Sequence, residues 1–243
     1  MIIFPMAGLS KRFFLAGYKF PKYMLSLKKK SVFCHAVESF SNYFNKIPFL
    51  FIARDINNTR EFVVQKCKKM GLVDYSVISL DDVTRGQAET VALGISKAKV
   101  SLNMPLTIFN IDTFRPNFTF PEEFDLGQID GYIEVFQGSG SNWSYVRSDK
   151  DSKQVIETAE KREISDLCCT GLYHFSQSSL FYTAFEEYSQ LLPEFWDANE
   201  LYVAPLYNNI IKKGGSVKYH LINRNDVIFC GTPSEYELLK LEV

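Results

Sequence analysis

Residues 1–27 read MIIFPMAGLSKRFFLAGYKFPKYMLSL, and the fold follows from how this stretch is punctuated. Met1-Ile2-Ile3-Phe4 is an apolar run of good strand formers. Ala7-Gly8-Leu9-Ser10-Lys11-Arg12 then breaks it with a glycine, a serine and two cations, and Phe20-Pro21-Lys22 follows. A strand that runs straight into a glycine-containing turn leaves backbone N–H groups pointing off its C-terminal end, an arrangement that suits a phosphate chain. Arg12 can add a planar fork of donors and Lys22 a point charge. Neither the G-x-x-x-x-G-K-[ST] loop nor the G-x-G-x-x-G fingerprint is present. An ordinary strand and loop with surface cations would carry the same residues, so the loop by itself leaves the chemistry open.

Working outward, strand-like and helix-like stretches alternate. Helical spacing covers 31–43, 58–70 (with Gly71 as a C-cap) and 87–99. Short apolar runs suited to buried strands fall at 49–53, 75–80 and 105–110. This alternation predicts an α/β fold, a mostly parallel sheet with helices on both faces. Ligands in such sheets sit beyond the strand C-termini, so the Gly8 loop and the Asn110-Ile111-Asp112 end are expected at one edge. The second half changes character. Strands are expected at 131–136, 143–146, 154–158, 172–175 and 217–222, with a turn at Ser148 to Asp151. Helices are expected at 179–192, 204–212 and 233–241. There is no internal repeat and no long linker. The reading is one domain over 1–243, with a first half to about residue 115 and a second half from about residue 116.

Composition narrows the function classes. Hydrophobic residues make up 46% and aromatics 15%, enough for a large core. Lys and Arg number 27 against 28 Asp and Glu, a balance that argues against general nucleic-acid binding. No apolar run is long enough for a membrane span, and no secretory signal opens the chain, so a cytoplasmic protein is expected. Its five cysteines (34, 67, 168, 169, 230) lack C-x-x-C spacing and read as reduced core residues. His35, His174 and His220 have no ligand spacing and read as structural, and Lys28-Lys29-Lys30 as a solvated turn.

Four further stretches could carry chemistry. Asp112 places a carboxylate just past an apolar strand, where a turn former is equally at home. Arg85-Gly86-Gln87-Ala88 precedes a helix, and the Gln87 amide can both donate to and accept from a base edge. Glu160-Lys161 follows a strand and would by itself pass for a surface ion pair. Thr170-Gly171-Leu172-Tyr173 comes ten residues later. In this order, together with A-G-x-x-x-R and P-K, the set resembles the sugar-phosphate nucleotidyltransferases. The set resembles in particular members from capsule and surface-polysaccharide pathways. The family reads A-G-x-G-x-R, and Ser10 stands here at the second glycine.

The resemblance implies a Rossmann-like, GT-A-like mixed sheet and a role for each residue. The Ala7, Gly8, Leu9 and Ser10 loop with Arg12 would hold the β- and γ-phosphates of an NTP, and Lys22 the α-phosphate. Gly86 and Gln87 would meet the base, a pyrimidine being favoured (CTP or UTP). Asp112 would hold Mg²⁺. Lys161 would bind the acceptor's phosphate, with Glu160, Gly171 and Glu200 around the acceptor, a phosphorylated sugar or other small phosphorylated metabolite. That phosphate attacks the α-phosphorus and pyrophosphate leaves, so positioning and charge neutralisation carry catalysis. Partners would be these small molecules, without nucleic acid or membrane, and a homo-oligomer is compatible. The closing Gly231-Thr232-Pro233 also fits, but the family's second Mg²⁺ carboxylate two residues before that glycine is Phe229 here, with Asp226 out of register. A GT-A glycosyltransferase using a nucleotide-sugar, and a non-catalytic nucleotide-binding regulator, remain open alternatives.

Overall fold

The computed structural model of the protein describes residues 1–149 and 152–241. In chain order the strands are β1 (Ile2–Pro5), β2 (Ser26–Leu27), β3 (Lys30–Ser31), β4 (Phe49–Arg54), β5 (Tyr75–Leu80), β6 (Leu106–Phe109), β7 (Thr113–Phe114), β8 (Gly131–Gln137), β9 (Ser144–Ser148), β10 (Val155–Glu160), β11 (Leu167–Phe175), β12 (Val217–Ile222) and β13 (Ile228–Phe229). The helices are α1 (Lys11–Leu15), α2 (Val32–Glu38), α3 (Thr59–Met70), α4 (Gln87–Lys97), α5 (Ser178–Ser189), α6 (Tyr207–Lys212) and α7 (Pro233–Leu241).

Among the described residues, nine strands form one mixed sheet. Its path is β5-β4-β1-β6-β11, with β9 and β10 continuing beside the first half of β11 and β8 and β12 on that strand's other side. The pairs β5–β4, β4–β1, β1–β6 and β8–β12 are parallel, and β11 runs antiparallel to each of its neighbours. From β1 the chain moves to β4 and β5 on one side, then returns to lay β6 on the other. The strand order therefore reverses between β1 and β6, the position at which open α/β sheets bind ligands.

Alternation along the strands supplies a core on each face of the sheet. Ile2 and Phe4 of β1 and Phe49 and Phe51 of β4 face the layer of α2 and α3, while Ile3, Leu50 and Ile52 face the layer of α4, α5 and α6. Phe4 packs among Phe40, Phe51 and Phe109 at ring distances of 5.4–6.0 Å. All five cysteines are buried and unbonded. No helix among the described residues is long and apolar enough to cross a membrane.

Several element ends differ from the sequence expectation, each for a local reason. The helix expected over 31–43 stops at Glu38: Ser39 is still helical in its backbone, and the chain leaves the helical conformation at Phe40 (φ −102°, ψ 22°), whose ring is buried among Phe4, Phe109 and Phe118. The helix expected to reach residue 192 stops at Ser189, and Leu192 is extended before Pro193 as that ring requires. Strand β11 is longer than expected because Cys168, Cys169, Thr170 and Gly171 give little apolar signal yet are all buried. Of the turn expected at Ser148 to Asp151, Lys150 and Asp151 lie outside the described residues.

Candidate active site

Strand β1 ends at Pro5, and the loop Met6–Ser10 leads into the short helix α1. Among the described residues, the backbone N–H groups of Ala7, Gly8, Leu9 and Ser10 donate to no backbone acceptor, so four donors remain at the strand end. Ser10 takes the left-handed conformation (φ 50°) that the family's glycine would adopt without cost. Its hydroxyl accepts the backbone N–H of Lys22 at 3.2 Å, tying the loop to the Pro-Lys segment. Arg12, on α1, is exposed and forms no ion pair among the described residues.

Parallel pairing of β1 with β6 brings Asp112, three residues past β6, beside this loop. Lys22 Nζ lies 2.5 Å from Asp112 Oδ2, with both side chains mostly buried. The Gly231-Thr232-Pro233 stretch closes over the other side of Asp112. The Cys230 N–H donates to the Asp112 carbonyl (2.8 Å), and a β-carbon at Gly231 would lie 2.8 Å from Asp112 Oδ2. Thr232 and Glu235 form a reciprocal capping box for α7: the Glu235 carboxylate accepts from Thr232 N (2.9 Å) and the Thr232 hydroxyl accepts from Glu235 N (3.2 Å). The box fixes the start of α7 directly after the Gly231 gap.

The position of the family's second carboxylate is apolar. The Phe229 ring packs on Trp143 (4.5 Å) and Phe136 (5.4 Å), with the Arg224 guanidinium over it at 4.9 Å. Asp226 does not replace it. Its carboxylate is exposed, accepts from Asn223 Nδ2 (3.4 Å), and lines a cavity of about 590 Å³ with Arg115, His220 and Arg224 that Asp112 does not line. Among the described residues no group of three or more His, Cys, Asp or Glu side chains is arranged to hold a metal.

Gly86 and Gln87 sit at the start of α4. Gly86 is pressed against Leu201, whose backbone oxygen would lie 2.5 Å from a β-carbon there, and the Ala88 N–H donates to the same oxygen. Leu201 N–H in turn donates to the Arg85 carbonyl (3.0 Å). This stitches the Gly86-Gln87 segment to the Glu200–Tyr202 segment.

Glu160 ends β10 and is buried. Its carboxylate accepts from the Ser144 hydroxyl, which also contacts the Tyr173 hydroxyl at 3.1 Å. Burial, together with the nearby Asp197 and Glu200 charges, raises its pKa to about 7, against the opposing pull of Ser144 and Lys161. Lys161 Nζ donates to the Tyr202 hydroxyl (2.6 Å). Burial works to lower the Lys161 pKa, but Tyr202, Glu160 and Glu200 outweigh it and hold the ammonium form above its usual range. Tyr173 was quoted from the sequence only as the end of the Thr170–Tyr173 stretch, and Ser144 and Asp197 were given no role, since a Ser and an Asp in unrelated segments carry no spacing signal.

The three histidines are structural in their contacts. His35 Nε2 meets the Leu27 carbonyl (2.9 Å), and His220 pairs with Glu123 (2.8 Å). His174 is buried against Thr107, and burial pushes its pKa down to about 3.

No protein-family model matches the chain, and no curated protein does. Solved structures do. The nucleoside-diphosphate-sugar pyrophosphorylase from Vibrio cholerae RC9 is 49% identical, aligns over 98% of this chain and 99% of its own, and superposes with a TM-score of 0.93. The inositol-1-phosphate CTP transferase from T. maritima, 14% identical over 98% and 93% of the two chains, shares the fold at a TM-score of 0.72. So does the UTP-bound UGPase from Acinetobacter baumannii, 16% identical over 99% and 91%, at 0.68. With the sheet reversal, the free N–H loop and the Lys22–Asp112 pair in place, the chain belongs to the nucleoside-diphosphate-sugar pyrophosphorylases, within the sugar-phosphate nucleotidyltransferases.

Proposed function

We propose that the protein joins a pyrimidine NTP, CTP or UTP, to a phosphorylated sugar or another small phosphorylated metabolite, giving an NDP-activated product and pyrophosphate. The observation that carries this reading is the Lys22–Asp112 pair at the β1/β6 switch point, beside four unused backbone N–H groups. The Ala7–Ser10 loop and Arg12 bind the β- and γ-phosphates. Lys22 follows the α-phosphate and neutralises charge as the bond to pyrophosphate breaks. Gln87, at the first turn of α4, meets the base. Lys161 takes the acceptor's phosphate, and Glu160 and Glu200 orient the rest of the acceptor. An acceptor phosphate is ionised at neutral pH, so the reaction needs no general base. The chain works as one domain, with residues to about 115 handling the NTP and the remainder the acceptor. Use of the product in surface-polysaccharide assembly belongs to the same reading.

The donor set fits Mg²⁺. Asp112 is a single, mostly buried carboxylate with a cation at its side, and Mg²⁺ is commonly held by one or two carboxylates plus phosphate oxygens and water. Bound there, the ion would neutralise phosphate charge. The protein's own part is to hold Asp112 in place through Cys230 N–H and the Gly231 gap.

A GT-A glycosyltransferase would consume a nucleotide-sugar without releasing pyrophosphate. The pairing of a free Arg12 with Lys22 and the N–H loop favours a triphosphate over that donor. Four NTPs screened against phosphorylated sugars, polyols and amino acids, with pyrophosphate release as the readout, test the proposal. Release that requires both an NTP and a phosphorylated acceptor supports it. Turnover of nucleotide-sugars without pyrophosphate contradicts it.

A further inference from the structure

Strand β11 changes partner part-way along one side. Its first half meets β9 at Cys168–Tyr145, and its second half meets β6 from Leu172–Phe109 onward. Gly171 sits in the gap between the two partners, at φ +95° and within a register shift against β8. Asn110, the residue after β6, fills this gap. Its backbone N–H donates to the Gly171 carbonyl (3.2 Å), and its side-chain amide occupies the space where a β-carbon on Gly171 would collide with it. The other end of the amide is engaged as well: Gln87 Nε2 donates to Asn110 Oδ1 at 2.5 Å.

We propose that Asn110 is the positioning residue for base recognition, holding the Gln87 amide in one orientation across the gap between β6 and β9. This rests on the reading of Gln87 as the base contact. A free glutamine side chain has three rotatable bonds, and fixing it before the base arrives removes an entropic cost from binding. With one of its two N–H donors already committed to Asn110, the amide also presents its remaining N–H and its oxygen in a fixed pattern, so a base of the wrong pattern leaves a polar group unpaired. Gly171 contributes by its lack of a side chain: it admits the Asn110 amide that a larger residue would displace. Asn110 is only two residues from Asp112, so the same short segment ties base reading to the phosphate site.

Dissociation constants for CTP, UTP, ATP and GTP, measured by calorimetry with Mg²⁺ and no acceptor, test this on wild type, Asn110→Ala, Gln87→Ala, the double variant and Asn110→Asp. The readout is the ratio between the tightest NTP and the next. Asn110→Ala should shrink that ratio about tenfold, the effect of one hydrogen bond. Gln87→Ala should do the same, and the double variant no more than either. Asn110→Asp keeps an oxygen for Gln87 Nε2, so it should weaken all four NTPs through its charge while preserving the ratio. A wild-type ratio in Asn110→Ala beside a lost ratio in Gln87→Ala overturns the proposal, as do additive losses in the double variant. An unchanged ratio in Gln87→Ala, or no discrimination by the wild type, overturns the assignment of Gln87 itself and the proposal with it.

Discussion

Lys22 Nζ and Asp112 Oδ2 are 2.5 Å apart, ninety residues separated in sequence and joined across the β1/β6 switch point. The ammonium therefore holds the carboxylate that a metal would use. Divalent ion should bind the free protein weakly and much better once a triphosphate draws Lys22 away. Mn²⁺ titration with and without NTP checks this. Lys22→Ala should tighten Mn²⁺ binding to the free protein while slowing turnover by a factor of roughly 10² to 10³. Equal Mn²⁺ affinity in wild type and variant would show that the pair does not compete with the ion.

Ser10 bears two opposing effects. Its left-handed backbone costs on the order of 1 kcal/mol for a residue other than glycine, and its hydroxyl returns about as much by accepting the Lys22 N–H. Ser10→Gly should leave the unfolding temperature nearly unchanged. Ser10→Ala keeps the strain and loses the bond, and should destabilise by about 1 kcal/mol. Thermal unfolding of the two variants side by side decides it, and both should bind NTP more weakly as the loop loosens from Lys22.

Legibility in the sequence divided along local and non-local lines. The first half read well because β1, β4, β5 and β6 are short apolar runs between helices with clear periods, and Gly71 caps α3 in the left-handed conformation as expected. Arg12, Lys22, Asp112 and Lys161 could be named because the short motifs that hold them, each common by itself, occur in the order that resembles the family. Asn110 was quoted only as part of a strand end. Its role depends on Gln87 and Gly171, which are brought to it by the change of partner along β11. The same holds for Ser144 and Asp197 around Glu160, and for the stack that Phe229 joins. Contacts among distant segments leave no period in a single chain.

Glu160 makes the protein's behaviour depend on pH. Its folded pKa, raised to about 7 by burial, lies above the ordinary carboxylate value of 4.5. Between those values the folded state holds a proton that the unfolded chain has released, so this group's contribution to stability is full below about pH 4.5 and declines as pH rises to about 7. Glu160→Gln should flatten that part of the stability profile. The acceptor phosphate titrates at about pH 6 with either protein, so the expected difference is a further change of the acceptor's KM near pH 7 that wild type shows and the variant lacks. A stability profile identical in both proteins from pH 4.5 to 7 would count against a shifted Glu160.

Arg115 and Glu134 form an ion pair in the interior, with both Arg115 Nε–carboxylate distances at 3.1 Å and Thr170 donating to the same carboxylate. Burial pushes the Glu134 pKa up, and Arg115 opposes it. Arg115→Ala leaves that carboxylate without its cation and should cost about 3–5 kcal/mol, measured by urea unfolding. Arg115→Leu combined with Glu134→Leu should cost far less than the two single losses together.

The most direct test of nucleotidyl transfer follows the α-phosphorus. With α-labelled NTP and the phosphorylated acceptor that the screen identifies, the label should appear in the NDP-activated product, with unlabelled pyrophosphate in equal amount. Asp112→Asn, folded and of normal shape, should lose nearly all of both. Label released as free nucleotide without pyrophosphate, or full transfer in Asp112→Asn, would contradict the account.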